Sequence, residues 1–98
     1  MFARVTRMEG GSPESVDEGV RVAREQVLPR ARQIPGWKGV ISLADRATGN
    51  SVLITLWESE EAMTASAEQA KGLRATTQSL TGHETAVQGY EVVMFETD

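Results

Sequence analysis

The sequence predicts an α+β fold, a four-stranded antiparallel sheet with two helices on one face in the order β-α-β-β-α-β. Three observations carry it. Trp37–Ala44 and Ser51–Glu58 are apolar-rich runs on either side of Asp45-Arg46-Ala47-Thr48-Gly49-Asn50, a turn-forming cluster, and so read as a β-hairpin. The second run leads into Ser59-Glu60-Glu61, where serine can cap a helix and two glutamates suit the positive end of its dipole. Each flank of this hairpin then holds one strand and one amphipathic helical stripe. The order is the ferredoxin-like one, and right-handed crossovers put both helices on the same face.

Phe2–Met8 is the first strand. Phe2, Arg4, Thr6 and Met8 share one of its faces and Ala3, Val5 and Arg7 the other. An arginine here is either solvated at a strand edge or turned into a pocket. Glu9-Gly10-Gly11-Ser12-Pro13 is a loop that delivers a helix. Its start is Ser12 as cap with Pro13 in first position, or Ser15 with Glu18 as a capping box. Val16, Val20, Ala23, Val27, Ala31 and Ile34 recur at intervals of three and four and form its inward stripe. Pro29 offers no donor to the carbonyl of Glu25, which predicts a kink, or a break and a second short turn, before Pro35-Gly36.

The strand Ser51–Glu58 carries Leu53, Thr55 and Trp57 on one face and Val52, Ile54 and Leu56 on the other, the pattern of a strand covered on both sides. The second helix is expected over residues 60–80, with Met63, Ser66, Ala70, Leu73, Thr77 and Leu80 inward and a bend near Gly72. Gly82 is its expected C-cap. The last strand is expected over Thr85–Phe95, also apolar on both faces, with a bulge or a close backbone approach at Gly89.

At 98 residues the chain reads as one domain, able to bury roughly 65% of its unfolded surface. A net charge of −4 argues against nucleic acid or anionic lipid as partner. Cysteine is absent, which removes disulfides, thiolate metal sites and a thiol nucleophile. One histidine and no carboxylate cluster leave no expected metal site. Residue 2 onward reads as a strand rather than as a basic segment followed by an apolar core, so no signal peptide is expected. No apolar run reaches the length of a membrane span, and the expected location is cytoplasmic.

Two helices cover one sheet face, yet two strands are apolar on both. A bare apolar face of that size would exceed what soluble monomers expose, so a homodimer built sheet against sheet is expected. The stretch Pro35-Gly36-Trp37-Lys38-Gly39-Val40, with Leu56-Trp57-Glu58-Ser59-Glu60-Glu61-Ala62-Met63 after the hairpin, resembles the antibiotic biosynthesis monooxygenase (ABM) proteins of the dimeric α+β barrel superfamily. The element order matches over the whole chain, and the motif-like identity covers Pro35–Met63. The resemblance implies a site between sheet and helices and, in catalytic members, oxidation of small aromatic or quinone-type molecules without metal or flavin. It therefore implies no cofactor. Haem-degrading relatives carry a histidine on the second helix, where this chain has Ser66, and an asparagine on the first strand, where it has Arg4, Thr6 and Arg7.

On that reading the expected ligand pocket is Trp57, Met63, Ser66 and Arg4. Trp57 matches the tryptophan of the family pattern; it either lines this pocket or fills the core beside Met63. Tyr90 could add a phenol, and His83 is the one imidazole available. Trp57, Tyr90 and His83 are thus the catalytic candidates. No nucleophile–base pair is visible, so a small-molecule binder and a structural dimerisation module remain as alternatives to a cofactor-free monooxygenase.

Overall fold

The computed structural model describes residues 1–9, 12, 14–66 and 84–97. Phe2–Glu9 (β1) runs through the middle of the sheet, paired antiparallel with both Ser51–Trp57 (β3) and Glu84–Glu91 (β4); Trp37–Ala44 (β2) pairs with β3. The order is β2-β3-β1-β4, so β1 is an inner strand and Arg4 is not at an edge. Register assigns the faces. Phe2, Arg4, Thr6 and Met8 share one with Trp57, Thr55 and Gly89; Val5 and Arg7 share the other with Ile54, Val52, Ile41 and Leu43. Arg4, Thr6, Met8 and Trp57 are all buried, which marks the first as the covered face.

β4 ends at Glu91 rather than Phe95 because Phe2, its last partner, lies at the start of β1. One further bond, Val92 N–H to the carbonyl of Met1 at 2.9 Å, closes the ladder. Beyond it Val93, Met94 and Phe95 lie exposed. Gly89 is a close approach and not a bulge: a Cβ there would come 2.8 Å from Met63 Cε. The sheet's register shift falls instead between Trp37 and Gly39 of β2.

The hairpin turn is closed by Asp45 N–H to Asn50 O and Gly49 N–H to Asp45 O, both 2.8 Å. The Asp45 carboxylate accepts from Ala47 N–H and the Thr48 hydroxyl from Asn50 N–H, which is how these residues favour turns. Gly49 has φ +82°, and a Cβ on it would strike the backbone of Ser12, so the turn sits against the loop that leads into the first helix. Arg46 reaches Asp17 at 3.0 Å from the same turn. The Arg46 hydrogen bond, then its charge, hold the Asp17 carboxyl below its ordinary 3.8. This exposed pair therefore contributes above that value and is lost as pH falls through the lower folded one.

Neither expected cap starts the first helix. It runs Ser15–Val22 (α1), with Glu14 at the cap position and no side-chain cap bond; Glu18 pairs with Arg21 instead of reaching back to Ser15. Ala23–Val27 then winds as a π-helix and Leu28–Ala31 (α2) returns to α geometry. The break precedes Pro29, which occupies the first turn of α2, where a missing N–H costs least. Val22, 1% exposed, is buried though outside the predicted stripe; Val20 and Ala23 are half-buried, while Val16, Val27, Ala31 and Ile34 are buried as the periodicity predicts.

Ser59 caps Glu60–Ala65 (α3), its hydroxyl accepting from Ala62 N–H at 3.1 Å, with Glu60 and Glu61 in the first turn. Ser59→Ala should cost about 1 kcal/mol, or about 4–8 °C in Tm, read by thermal unfolding; no change would mean that the α3 start is held by packing alone. Gly36, at φ +85°, lies so close to Ala62 that a Cβ would collide with it, and its carbonyl accepts from Glu58 N–H at 2.9 Å. The start of β2 is thereby pinned to the start of α3. Ala70, Gly72, Leu73, Thr77, Leu80, Gly82 and His83 lie outside the described residues, as does the expected helical course beyond Ser66. Among the described residues no helix is long and apolar enough to cross a membrane.

Candidate functional site

The tryptophan at the end of β3 is 1% exposed, and the residues around it come from three elements. β1 supplies Arg4, directed to the covered face by its even register. α3 supplies Met63 and Ser66, brought over that face by the Ser59 cap and the Gly36–Ala62 contact. β2 supplies Trp37, whose ring meets Trp57 edge-on with centroids 5.7 Å apart, a favourable aromatic geometry. The register shift after Trp37 leaves both tryptophans opposite each other at the ends of their strands.

Arg4 is the centre of the polar part. Its guanidinium carbon lies 5.3 Å from the centroid of the Trp57 ring, within cation–π range. Its Nη2 donates to the carbonyl of Met63 at 2.5 Å and to Ser66 Oγ at 3.1 Å. The Ser66 hydroxyl in turn donates to Met63 O at 2.7 Å, so the last turn of α3 is tied to β1 by one cation. Arg4 is 7% exposed, and in so dry a setting charge-assisted bonds are stronger than at a surface. Trp57 Nε1–H donates to Thr55 Oγ1 at 3.0 Å, which satisfies the indole without water.

The structure thus brings Trp57, Met63, Ser66 and Arg4 into one cluster. It does not bring Tyr90 there. Tyr90 pairs with Ala3 and so belongs to the opposite face, where it is exposed and donates to Gln88 Oε1 at 2.7 Å. The single-residue alternation of a strand separates it from Arg4. His83 is outside the described residues. Two members of the group were not among the expected pocket residues. Thr55 shares the face of Trp57 two residues before it, a signal readable in the strand alternation, whereas the approach of Trp37 to Trp57 depends on the β2 irregularity. Among the described residues, no group of three His, Asp or Glu side chains could hold a metal ion.

Comparison with solved structures matches this arrangement of elements over nearly the whole chain. The monooxygenase ActVA-Orf6 of Streptomyces coelicolor, in complex with nanaomycin D, has a TM-score of 0.71 at 20% identity, covering 98% of this chain and 92% of that one. SnoaB of Streptomyces nogalater, a cofactor-independent oxygenase, has a TM-score of 0.70 at 16% identity, covering 99% and 97%. The chain has the ABM fold. The haem degrader MhuD of Mycobacterium tuberculosis, with two haems bound in its active site, is also similar to it, with a TM-score of 0.69 at 19% identity and coverage of 99% and 100%. At these identities the likeness is one of fold, and ABM-type proteins carry more than one chemistry. No family model matches the chain. In sequence it is similar to the uncharacterized proteins Rv2557 and Rv2558 of M. tuberculosis, 33% and 32% identical over 98 residues. All of this chain aligns, to 43% of the first and 41% of the second, so it spans less than half the length of the curated relatives it matches.

Proposed function

We propose that this chain is a monooxygenase-like protein that takes a small aromatic or quinone-type molecule between its sheet and α3, without a metal or organic cofactor, and that it works as a homodimer. The observation that carries the reading is Arg4: a buried guanidinium held against the Trp57 ring, with its donors turned to a carbonyl and a hydroxyl on α3. A planar phenolate or hydroquinone anion fits those groups. Its ring can stack on Trp57 while Arg4 trades the Ser66 hydroxyl for the ligand's oxygen, a charge-assisted bond. The solved neighbours support the class, since ActVA-Orf6 holds nanaomycin D and SnoaB is a cofactor-independent oxygenase.

In such a reaction the substrate is its own reductant. Where the aromatic system also carries a ring methylene, its anion gives electrons to dioxygen; one oxygen atom ends in a new carbonyl at that methylene and the other leaves as water with the two methylene hydrogens. One methylene and one dioxygen thus become one carbonyl and one water, a balance that needs no other oxidant or reductant. The chain's share would be to stabilise the anion through Arg4 and to keep the ring oriented in a dry site.

One observation favours a second reading. Trp57 and Ser66 are each 1% exposed, Arg4 and Ser66 bond to each other and to Met63 O, and Trp57 donates to Thr55, which suits a binder or a structural module as well as a catalyst. Trp37→Phe leaves Trp57 as the single indole, and this variant is the one to titrate. Small quinones and polycyclic phenols should quench its fluorescence, and the phenols should drive oxygen uptake. Trp57→Phe, assayed by oxygen uptake and equilibrium dialysis, should weaken binding by about 0.5–1.5 kcal/mol, roughly 2–13-fold. Quenching without oxygen uptake would assign a binder. No response across the panel would leave the structural module.

The dimer is proposed from the open face. Val5, Val52, Ile54 and Leu56 are half-buried there, Ile41 and Leu43 exposed, and the residues that α3 touches lie on the other side. A second copy laid on this face would cover a contiguous apolar surface that isolated chains keep small.

A further inference from the structure

With Trp57 1% exposed, a ligand ring can lie against it only where a neighbour gives way. Two groups beside the indole are tied down. Arg4 donates to Met63 O and Ser66 Oγ, and Thr55 Oγ1 accepts the Trp57 indole N–H. The helix α3 is itself set by the Ser59 cap and the Gly36–Ala62 contact. Trp37 differs from all of these. It stands on β2, the edge strand, and is half-buried. Among the described residues its indole N–H makes no hydrogen bond, and its T-shaped contact with Trp57 is what holds the ring.

We propose that Trp37 is a rotating lid that competes with the ligand: its ring and a flat ligand ring take turns against Trp57. This lid presupposes the ligand site proposed above and names its entrance. Strand order gives the route. β2, β3 and β1 are neighbours in that sequence, so Trp37, Trp57 and Arg4 follow one another from the sheet's edge inward. Adjacent strands are about 4.8 Å apart, which makes the path from edge to cation about 10 Å, a single aromatic ligand's length. The backbone at the lid is fixed. Trp37 N–H donates to Ile34 O at 3.2 Å, and Gly36 O accepts from Glu58 N–H at 2.9 Å. The moving part is therefore the side chain, which turns between staggered rotamers while the sheet stays in place. A residue that walls a site strengthens binding, whereas a competing lid weakens it by the fraction of time the site is closed. An aromatic pair of this kind holds the lid shut by about 2–13-fold.

Trp37→Phe keeps a ring at the edge and Trp37→Ala removes it, and in both Trp57 is the one indole left to read. Trp37→Leu is run beside them, since it keeps apolar bulk without a competing ring. Acrylamide quenching of Trp57, which needs no ligand, should be weak in Trp37→Phe and several-fold stronger in Trp37→Ala. Stopped-flow binding of 1,4-naphthoquinone should then be several-fold faster and tighter in Trp37→Ala and Trp37→Leu than in Trp37→Phe, with the dissociation rate unchanged. Weaker binding through faster dissociation would make Trp37 a wall that holds the ligand and would overturn the lid. Acrylamide quenching equal in all three variants would overturn it too, because another group would then be the cover. Binding that is identical in all three would remove the lid and leave the site in place. No binding in any of them would overturn the site and the lid together.

Discussion

Trp57→Ala should lower the stability of the chain by about 3–5 kcal/mol, a fall of about 15–30 °C in Tm at this size. The ring is 1% exposed and has three kinds of neighbour: the Trp37 ring, the Arg4 guanidinium and the Thr55 hydroxyl. Truncation leaves a cavity where strand, strand and helix meet, and the Gly36–Ala62 contact keeps α3 from collapsing into it. Trp37→Ala is the control. Trp37 is half-buried, so its loss should cost clearly less than that of Trp57. Urea unfolding of both variants checks the order. Equal costs would mean that the two rings form one surface cluster rather than a buried ring with a lid.

Arg4→Met should cost about 2 kcal/mol and Arg4→Ala about 1–2 kcal/mol more. Two effects compete in the first variant. Loss of the bonds to Met63 O and Ser66 Oγ, and of the Trp57 contact, destabilises. Removal of a charge from a site 7% exposed relieves desolvation, which by itself can offset a buried ionic contact. The bonds win because charge-assisted hydrogen bonds contribute about 1.5–3 kcal/mol each. They win only in part, because Ser66 still donates to Met63 O after Arg4 is gone. Arg4→Lys should recover less than half of the loss, since an ammonium lacks the planar fork and stacks poorly on the indole. Denaturant midpoints at constant slope measure all three. A neutral Arg4→Met would show that desolvation cancels the contacts, and the cluster would then owe its place to binding rather than to folding.

The local chemistry of the chain was readable along the sequence. The hairpin with its Asp45–Asn50 turn, the Ser59 cap and the sharing of one face by Arg4, Thr6 and Met8 follow from turn preferences, capping and two-residue alternation, each decided within a few residues. So did the grouping of Trp57 with Met63 and Ser66, which needs only a strand end followed by a capped helix turn. Long-range pairing decided the rest. Arg4 is a buried cation rather than a solvated one because β1 inserts between β3 and β4, a sheet order that no local pattern states. Tyr90 falls on the far side of the sheet because its partner is Ala3, and a shift of one residue in that register would have put it on the face of Trp57. The first helix starts at Ser15 and widens into a π turn because its stripe must meet a sheet surface while Pro29 withholds a donor, and only packing chooses between a kink and an inserted residue. β4 stops at Glu91 because its partner strand begins at Phe2, and a strand without a neighbour has no ladder to continue.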